Sequence, residues 1–307
     1  LCLDNLVHAI FVTDDPNQLI YDYEKIYASI TERYGRHREN LRALFIGGGG
    51  YIYTRYLQVR WPHSDLQVAE IDPRVTEINF EAFGLKPEMV EIVKPGPRPL
   101  AFYGERNAPS GGRVTPGSAE SAPTMPFKIY HLDGRNHVED LLNLKRSGRG
   151  FEPLDFVYGD AFSDYCVPFH LVTREFFEKI KDLLQPGTGI YLMNIIDIYQ
   201  SGCFLGAIYN TMRQVFPRIY IYSNTPGGPD MSPFGRDTFI VVGAQMDLDL
   251  TDLGLRPGEL SFNGSLLEPQ HLQHLQESSR GIVMTDDYSP VENLLEEVIR
   301  RRTQQKE

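Results

Sequence analysis

Apolar positions along the chain first fall into a helical rhythm between residues 23 and 34, where Tyr23, Ile26, Tyr27 and Ile30 form one stripe. The first twenty or so residues read instead as short extended pieces, with a turn at Asp14-Asp15-Pro16. After residue 40 short apolar runs alternate with helical stretches. Residues 41–46 read as a buried strand that ends in four glycines, Gly47 to Gly50, with a helix to about Arg60. A second strand over 66–71 runs into Asp72-Pro73, an N-cap followed by proline at the first helical position, with helix to about Phe83. Further strands are expected at 128–132, 154–158 and 189–194, each followed by a helix, and Thr173 caps one of those helices while Gly187 closes it. A helix over about 204–215 leads into two strands, 218–222 and 238–242, joined by a glycine-rich loop.

Strand–helix alternation through five or six units predicts an α/β fold, a doubly wound, mostly parallel sheet with right-handed crossovers. The last two strands, separated only by a loop, predict a terminal antiparallel hairpin. The domain reading is a small N-terminal β region over 1–24, a Rossmann-like nucleoside-binding domain over 25–246, and a mixed, helical extension over 247–307. The final helix is expected to start at Ser289-Pro290-Val291-Glu292, a capping box with proline at its first position. Residues 94–127 break the alternation. They hold 7 of the 21 prolines and 5 glycines and no apolar periodicity, so they are expected to be a flexible surface insertion.

Composition narrows the function classes. Thirty basic against 41 acidic side chains give a net charge of −11, which argues against a nucleic-acid partner, since such a partner needs a basic face. Apolar residues make up 41% of the 307, enough for a sizeable core. No apolar run approaches the ~18 residues that span a bilayer, and a cytoplasmic setting is the expectation. Three cysteines without C-x-x-C spacing point away from a disulfide framework and a structural zinc. The chain opens on Leu1 rather than methionine, so we expect a piece of a longer polypeptide.

The chemistry concentrates at the predicted strand ends. A glycine run between a strand and a helix lets a ligand approach backbone N–H groups closely. Glu70 and Asp72 close the next strand just over ~20 residues later, where a carboxylate can accept both hydroxyls of a ribose. The spacing is not G-x-G-x-x-G, which counts against a nicotinamide dinucleotide. Asp133-Gly134 and Asp160 end the following strands, so the carboxylates of Glu70, Asp133 and Asp160 are expected to converge on one crevice. Asp133 is placed to accept an exocyclic adenine amine, and Asp160 to act as a general base. Each strand-end aspartate has a plainer role available, capping the helix that follows. Asp164 is a further candidate for the substrate, and Tyr21 and Tyr23 are candidate pocket walls. His170 reads as a hydrogen-bonded structural histidine beside the crevice, and His271 with His274 as a weak metal candidate.

These motifs together resemble the spermidine synthase family of aminopropyltransferases, a branch of the class I S-adenosylmethionine-binding fold. The resemblance rests on Leu3-Asp4-Asn5-Leu6-Val7-His8, Tyr21-Asp22-Tyr23-Glu24, Leu44-Phe45-Ile46-Gly47-Gly48-Gly49 and Val68-Ala69-Glu70-Ile71-Asp72. It continues through Leu132-Asp133-Gly134-Arg135 and through Asp160 followed by Thr173-Arg174-Glu175-Phe176-Phe177. Gly50-Tyr51, Asp160-Ala161-Phe162-Ser163, Asn194-Ile195-Ile196-Asp197 and Thr285-Asp286-Asp287-Tyr288 are similar to the spermidine-synthase-like domains fused to membrane segments in bacteria. The resemblance implies S-adenosylmethionine or its decarboxylated form as co-substrate, a small amine or polyamine as acceptor, and no metal. It implies a cofactor held by His8, Gly47, Gly48, Gly49, Gly50, Glu70, Asp72, Asp133 and Gly134, with Asp160 helping to deprotonate the attacking amine. A homodimer, and tethering to a membrane segment outside this chain, are the assembly expectations.

Three positions depart from the family pattern. Gly50 stands where synthases carry an aspartate that holds the aminopropyl amine. His8 replaces a glutamine that contacts the cofactor, and Asp164 lies four residues after Asp160 rather than three. The implied activity is aminopropyl transfer with release of methylthioadenosine. Two other readings stand beside it, an S-adenosylmethionine-dependent methyltransferase on the same fold and a non-catalytic nucleoside- or polyamine-sensing module of a membrane protein.

Overall fold

The computed structural model describes residues 2, 3, 6, 7, 9, 10, 12, 15, 18–94, 124–162, 166–233, 235–250, 253 and 264–304. His8, Asp164 and residues 95–123 of the expected insertion lie outside the described residues. Two short strands, β1 (Cys2–Leu3) and β2 (Leu6–Val7), pair antiparallel, and helix α1 (Asp22–Gly35) follows. The alternating region then runs β3 (Arg42–Ile46), α2 (Ile52–Arg60), β4 (Asp65–Ala69), α3 (Pro73–Ala82) and β5 (Val90–Val93). It continues with β6 (Phe127–Tyr130), α4 (Gly134–Arg146), β7 (Phe156–Gly159), α5 (Arg174–Leu183), β8 (Ile190–Ile198) and α6 (Cys203–Met212). Strands β9 (Arg218–Ser223), β10 (Arg236–Ala244) and β11 (Ser265–Leu266) and helices α7 (Pro269–Ser278), α8 (Val291–Leu294) and α9 (Glu296–Gln304) complete it.

Among the described residues the main sheet has nine strands in the order β11-β9-β10-β8-β7-β3-β4-β6-β5. Strands β3 to β8 pair parallel, while β10 runs antiparallel to both β8 and β9, as the expected terminal hairpin. From β3 the chain first builds outward through β4 and then returns to place β7 on the other side. The strand order therefore reverses between β3 and β7. In an open α/β sheet that switch point leaves a crevice outside the strand carboxyl ends.

Alternation along β3 shows why its run is uniformly apolar. Ala43 and Phe45 face a core with Ile26, Tyr27, Leu57 and Trp61 of the α1 and α2 side, whereas Leu44 and Ile46 face Val138, Phe176, Phe177 and Ile208 on the other. A parallel strand covered on both faces needs apolar residues at every position. Inside the first core sits a polar knot. Thr31 donates its hydroxyl proton to the Tyr27 carbonyl at 2.8 Å, and lies 2.8 Å from the Tyr53 hydroxyl and 2.7 Å from that of Tyr158. With the Thr31 proton committed, both tyrosines donate to its two lone pairs. All four residues are buried.

Several local expectations are corrected. Ser289 does not cap a helix: α8 has Pro290 at its N-cap position with no side-chain cap, and Ser289 Oγ donates to the Phe169 carbonyl instead. Helix α5 ends at Leu183, before Gly187, whose φ of +77° serves the following turn. Strand β5 is an edge strand with exposed Glu91 and Ile92, too polar and short to show in the apolar pattern. His271 is the third residue of α7 and forms a capping box with Glu268, while His274 Nε2 lies 3.2 Å from the Gln200 carbonyl. Among the described residues no cluster of metal-ligating side chains is found, and no helix is long and apolar enough to cross a membrane.

The Thr31 knot yields a stability prediction. Thr31→Val keeps the shape but leaves two buried tyrosine hydroxyls without their acceptor. The expected loss is roughly 2–5 kcal/mol of unfolding free energy, read by urea denaturation.

Candidate active site

The glycine loop occupies the switch point. Gly47 has φ +100°, and a Cβ on it would lie 2.4 Å from the backbone oxygen of Asp160, so the β3 and β7 ends meet there as bare backbone. Gly49 (φ +51°) and Tyr51 (φ +51°) are both left-handed, which turns the chain into α2 within four residues. A non-glycine residue in that region is costly by itself. The Tyr51 ring is buried and its hydroxyl lies 2.7 Å from Thr76 Oγ1, which holds the turn in place.

Glu70, buried at the end of β4, ties this loop down. Its Oε2 accepts from the Gly48 amide at 2.8 Å and its Oε1 from the Asp72 amide at 2.8 Å. A carboxylate has about four acceptor sites, so each oxygen keeps capacity for a ligand hydroxyl. Asp72 is the N-cap of α3, accepting from the Arg74 amide at 2.9 Å.

Asp133 caps α4, with Oδ1 accepting from the Arg135 and Asn136 amides at 2.9 and 3.2 Å. Its Oδ2 lies 2.7 Å from His170 Nε2. Both oxygens are engaged, and His170 is fixed against the very carboxylate expected to read adenine. Gly134 opens α4 where an added Cβ would lie 2.4 Å from Ile46 Cγ2, which brings that helix close over β3.

Asp160 lines a cleft of about 420 Å³, counting its open mouth. Gly47 to Gly50, Tyr51, Tyr23, Glu24 and Tyr158 are among its lining residues. Tyr23 donates its hydroxyl to Asp160 Oδ2 at 3.2 Å, and Asn194 Nδ2 donates to Oδ1 at 2.9 Å. Burial pushes the Asp160 carboxyl up to about 7, opposed in part by these two donors, which favour the ionised form. Glu24, 3% exposed, is pushed up to about 8 by burial and by the Asp160 charge. Its position in the first turn of α1 lets it accept from the backbone N–H of Tyr21, which lowers it somewhat.

The structure thus brings Gly47 to Gly50, Tyr23 and Asp160 into one cleft and hangs Glu70 from the same loop. It does not bring Tyr21, Glu70, Asp72, Asp133 or Gly134 into the cleft lining, so of the three carboxylates expected to converge only Asp160 lines it; Tyr21 precedes α1 and packs its ring 5.7 Å from that of Tyr23. Two lining or supporting groups were not singled out from the sequence. Glu24 was visible only as part of a motif, and Asn194 sits in a strand expected to end at that residue. Its polar character inside an apolar run was the available signal.

No family model matches the chain. It is 27% identical over 179 residues to a polyamine aminopropyltransferase from Vibrio vulnificus, a match covering 58% of this chain. That match covers 44% of the Vibrio protein, so the chain spans less than half the length of that relative. A crystal structure of a probable spermidine synthase from Corynebacterium glutamicum aligns over 90% of this chain and 84% of that one, with TM-score 0.60 and 18% identity. Human methyltransferase-like protein 13 in complex with SAH aligns over 90% of this chain and 100% of that one, with TM-score 0.49 and 17% identity. The fold is a Rossmann-like α/β fold, shared with the Corynebacterium structure. The sequence likeness supports the spermidine synthase family.

Because Asp160 and Glu24 bind protons more tightly folded than unfolded, both oppose folding as they ionise. Their contribution to stability should therefore fall as pH rises from about 4, the ordinary carboxylate range. The fall attributable to Asp160 should end near its raised value of about 7. In Asp160→Asn the loss of unfolding free energy between pH 5 and pH 8 should shrink, as read by denaturation at the two pH values; an unchanged loss would contradict a protonated buried carboxyl.

Proposed function

We propose that this chain is an aminopropyltransferase-like enzyme that uses a sulfonium nucleoside donor, with Asp160 as its general base. The observation that carries this reading is the Asp160 carboxylate, held between Tyr23 and Asn194 in the same cleft as a glycine loop tied to Glu70. The likeness to the Vibrio aminopropyltransferase supports it.

In this reading Gly47 to Gly49 hold the nucleoside by close backbone approach, and the spare acceptor sites of Glu70 take its ribose hydroxyls. Asp133 meets adenine only on the side left by His170 and the α4 amides. The acceptor amine lies by Asp160, oriented against the Tyr23 hydroxyl. Its nitrogen lone pair forms a bond to the propyl carbon as the carbon–sulfur bond breaks. The bonding pair stays on sulfur, methylthioadenosine departs, and Asp160 takes the ammonium proton. The sulfonium is already a good leaving group, so the protein contributes alignment and a neutral amine. No step calls for a metal. Tethering to a membrane segment, a cytoplasmic site and dimerisation belong to the same proposal.

The test is a mass-spectrometric assay of the purified chain with decarboxylated or full S-adenosylmethionine, with and without putrescine or spermidine. The expected products are methylthioadenosine and a polyamine three carbons longer. Asp160→Asn should lower turnover by about 10²–10⁴-fold with methylthioadenosine binding retained; turnover at the wild-type rate removes the base assignment. The wild-type kcat/KM should rise with pH through about 7 as Asp160 ionises. Glu70→Ala should weaken nucleoside binding, and an unchanged affinity would refute the ribose assignment.

A further inference from the structure

Asp133, Arg135 and His170 close a ring of contacts outside the cleft that Asp160 lines. The Arg135 amide donates to Asp133 Oδ1 at 2.9 Å, and its guanidinium Nη1 donates to the His170 carbonyl at 2.9 Å. The His170 ring then returns to Asp133, with Nε2 lying 2.7 Å from Oδ2. An ionised carboxylate only accepts, so the hydrogen on this contact belongs to His170 Nε2. Oδ1 also takes the Asn136 amide at 3.2 Å, which fills it. Oδ2 keeps one of its two acceptor directions, and the carboxylate is only half-buried.

The C-terminal segment holds this ring from outside. His170 sits on a single 3₁₀ turn, Phe169–Leu171, too short to fix its own position. Asp286 takes the Arg135 guanidinium on both oxygens, at 2.8 and 2.5 Å, and accepts from Thr173 Oγ1 at 2.7 Å. Ser289 Oγ donates to the Phe169 carbonyl at 3.1 Å. Because Asp286 engages the Arg135 charge in a bidentate pair, the side chain that reaches Asp133 Oδ2 is His170.

We propose that His170 is a positioning residue for base recognition: it fixes Asp133 Oδ2 so that one acceptor direction remains for the exocyclic amine of a purine, and Asp286 keeps it there through Arg135. This rests on the reading that Asp133 faces the adenine of a nucleoside. Without the Nε2–H donor the carboxylate turns more freely about its Cβ–Cγ bond and Oδ2 is hydrated. An arriving amine then has to order the carboxylate and displace the water. A carbonyl oxygen at the same purine position would face the Oδ2 lone pair and be repelled whether or not His170 is in place.

The test is isothermal titration calorimetry with methylthioadenosine and methylthioinosine, which carries a carbonyl oxygen in place of the exocyclic amine. Wild type should prefer methylthioadenosine by roughly tenfold or more. His170→Leu should lower methylthioadenosine affinity by about three- to tenfold and leave methylthioinosine affinity unchanged. His170→Gln, whose amide N–H has a similar reach, should restore most of the preference. Asp286→Ala should cause the same selective loss. Asp133→Asn keeps an oxygen to cap α4, and in that background neither His170→Leu nor Asp286→Ala should weaken binding further, since both act through the carboxylate. Full discrimination in His170→Leu overturns the inference. So does an equal loss for both nucleosides, which marks a structural role, and so do losses that add to that of Asp133→Asn. Full discrimination in Asp286→Ala alone overturns the link to the C-terminal segment. Wild type that binds both nucleosides equally, or neither, removes instead the adenine reading of Asp133 on which the inference rests.

Discussion

Where β3 and β7 end, the backbones of Gly47 and Asp160 approach so closely that even a methyl group would collide. The Asp160 amide donates to the Ile46 carbonyl at 2.9 Å, and the Gly47 amide to the Ala69 carbonyl at 2.9 Å, so three strand ends lock together at the switch point. Everything functional hangs from this join. It sets the distance between the glycine loop and the Asp160 carboxyl, the two parts of the proposed site. Since neither partner has a flexible linker, that distance is a property of the sheet.

Around the join the protein trades solvation for control. Asp160 is half-buried beside tyrosines and receives two hydrogen bonds. Desolvation moves its carboxyl into the neutral range, while the Tyr23 and Asn194 donors keep ionisation within reach. Were burial unopposed, the group would stay protonated and useless as a base; were it solvated, it would be too weak a base for an ammonium proton. The Thr31 knot supports the same wall by fixing Tyr53 and Tyr158, so polar groups beneath the cleft are satisfied before any ligand arrives.

The sheet was largely legible in the sequence because covered parallel strands need unbroken apolar runs, as at Leu44-Phe45-Ile46, and because Asp72-Pro73 and Thr173 mark helix starts by local chemistry. Strand β5 escaped because an edge strand needs neither apolar face fully covered. Ser289 misled because a capping sequence specifies a local geometry that tertiary contact with the Phe169 carbonyl overrode. In the site, Gly47 and Asp160 were legible as strand-end residues. The engagement of Asp133 by His170 was not, since nothing in spacing brings residues 37 apart into contact. Glu24 escaped for a different reason: a glutamate in the first turn of a helix is ordinary, and only its burial sets it apart.

The tie between Glu70 and the Gly48 amide has a consequence for how the free energy of the molecule is divided. A glycine-rich turn is among the most entropically costly segments to order. Here that ordering belongs to folding, through the bond from the Gly48 amide to the buried Glu70 carboxylate. On the proposed function, a nucleoside at this loop would meet a turn whose shape folding has already set, which lowers the ordering cost of association. The corresponding debt falls on the fold, where a chain that lost this carboxylate would have to find the ordering entropy of its most permissive turn from the binding event itself.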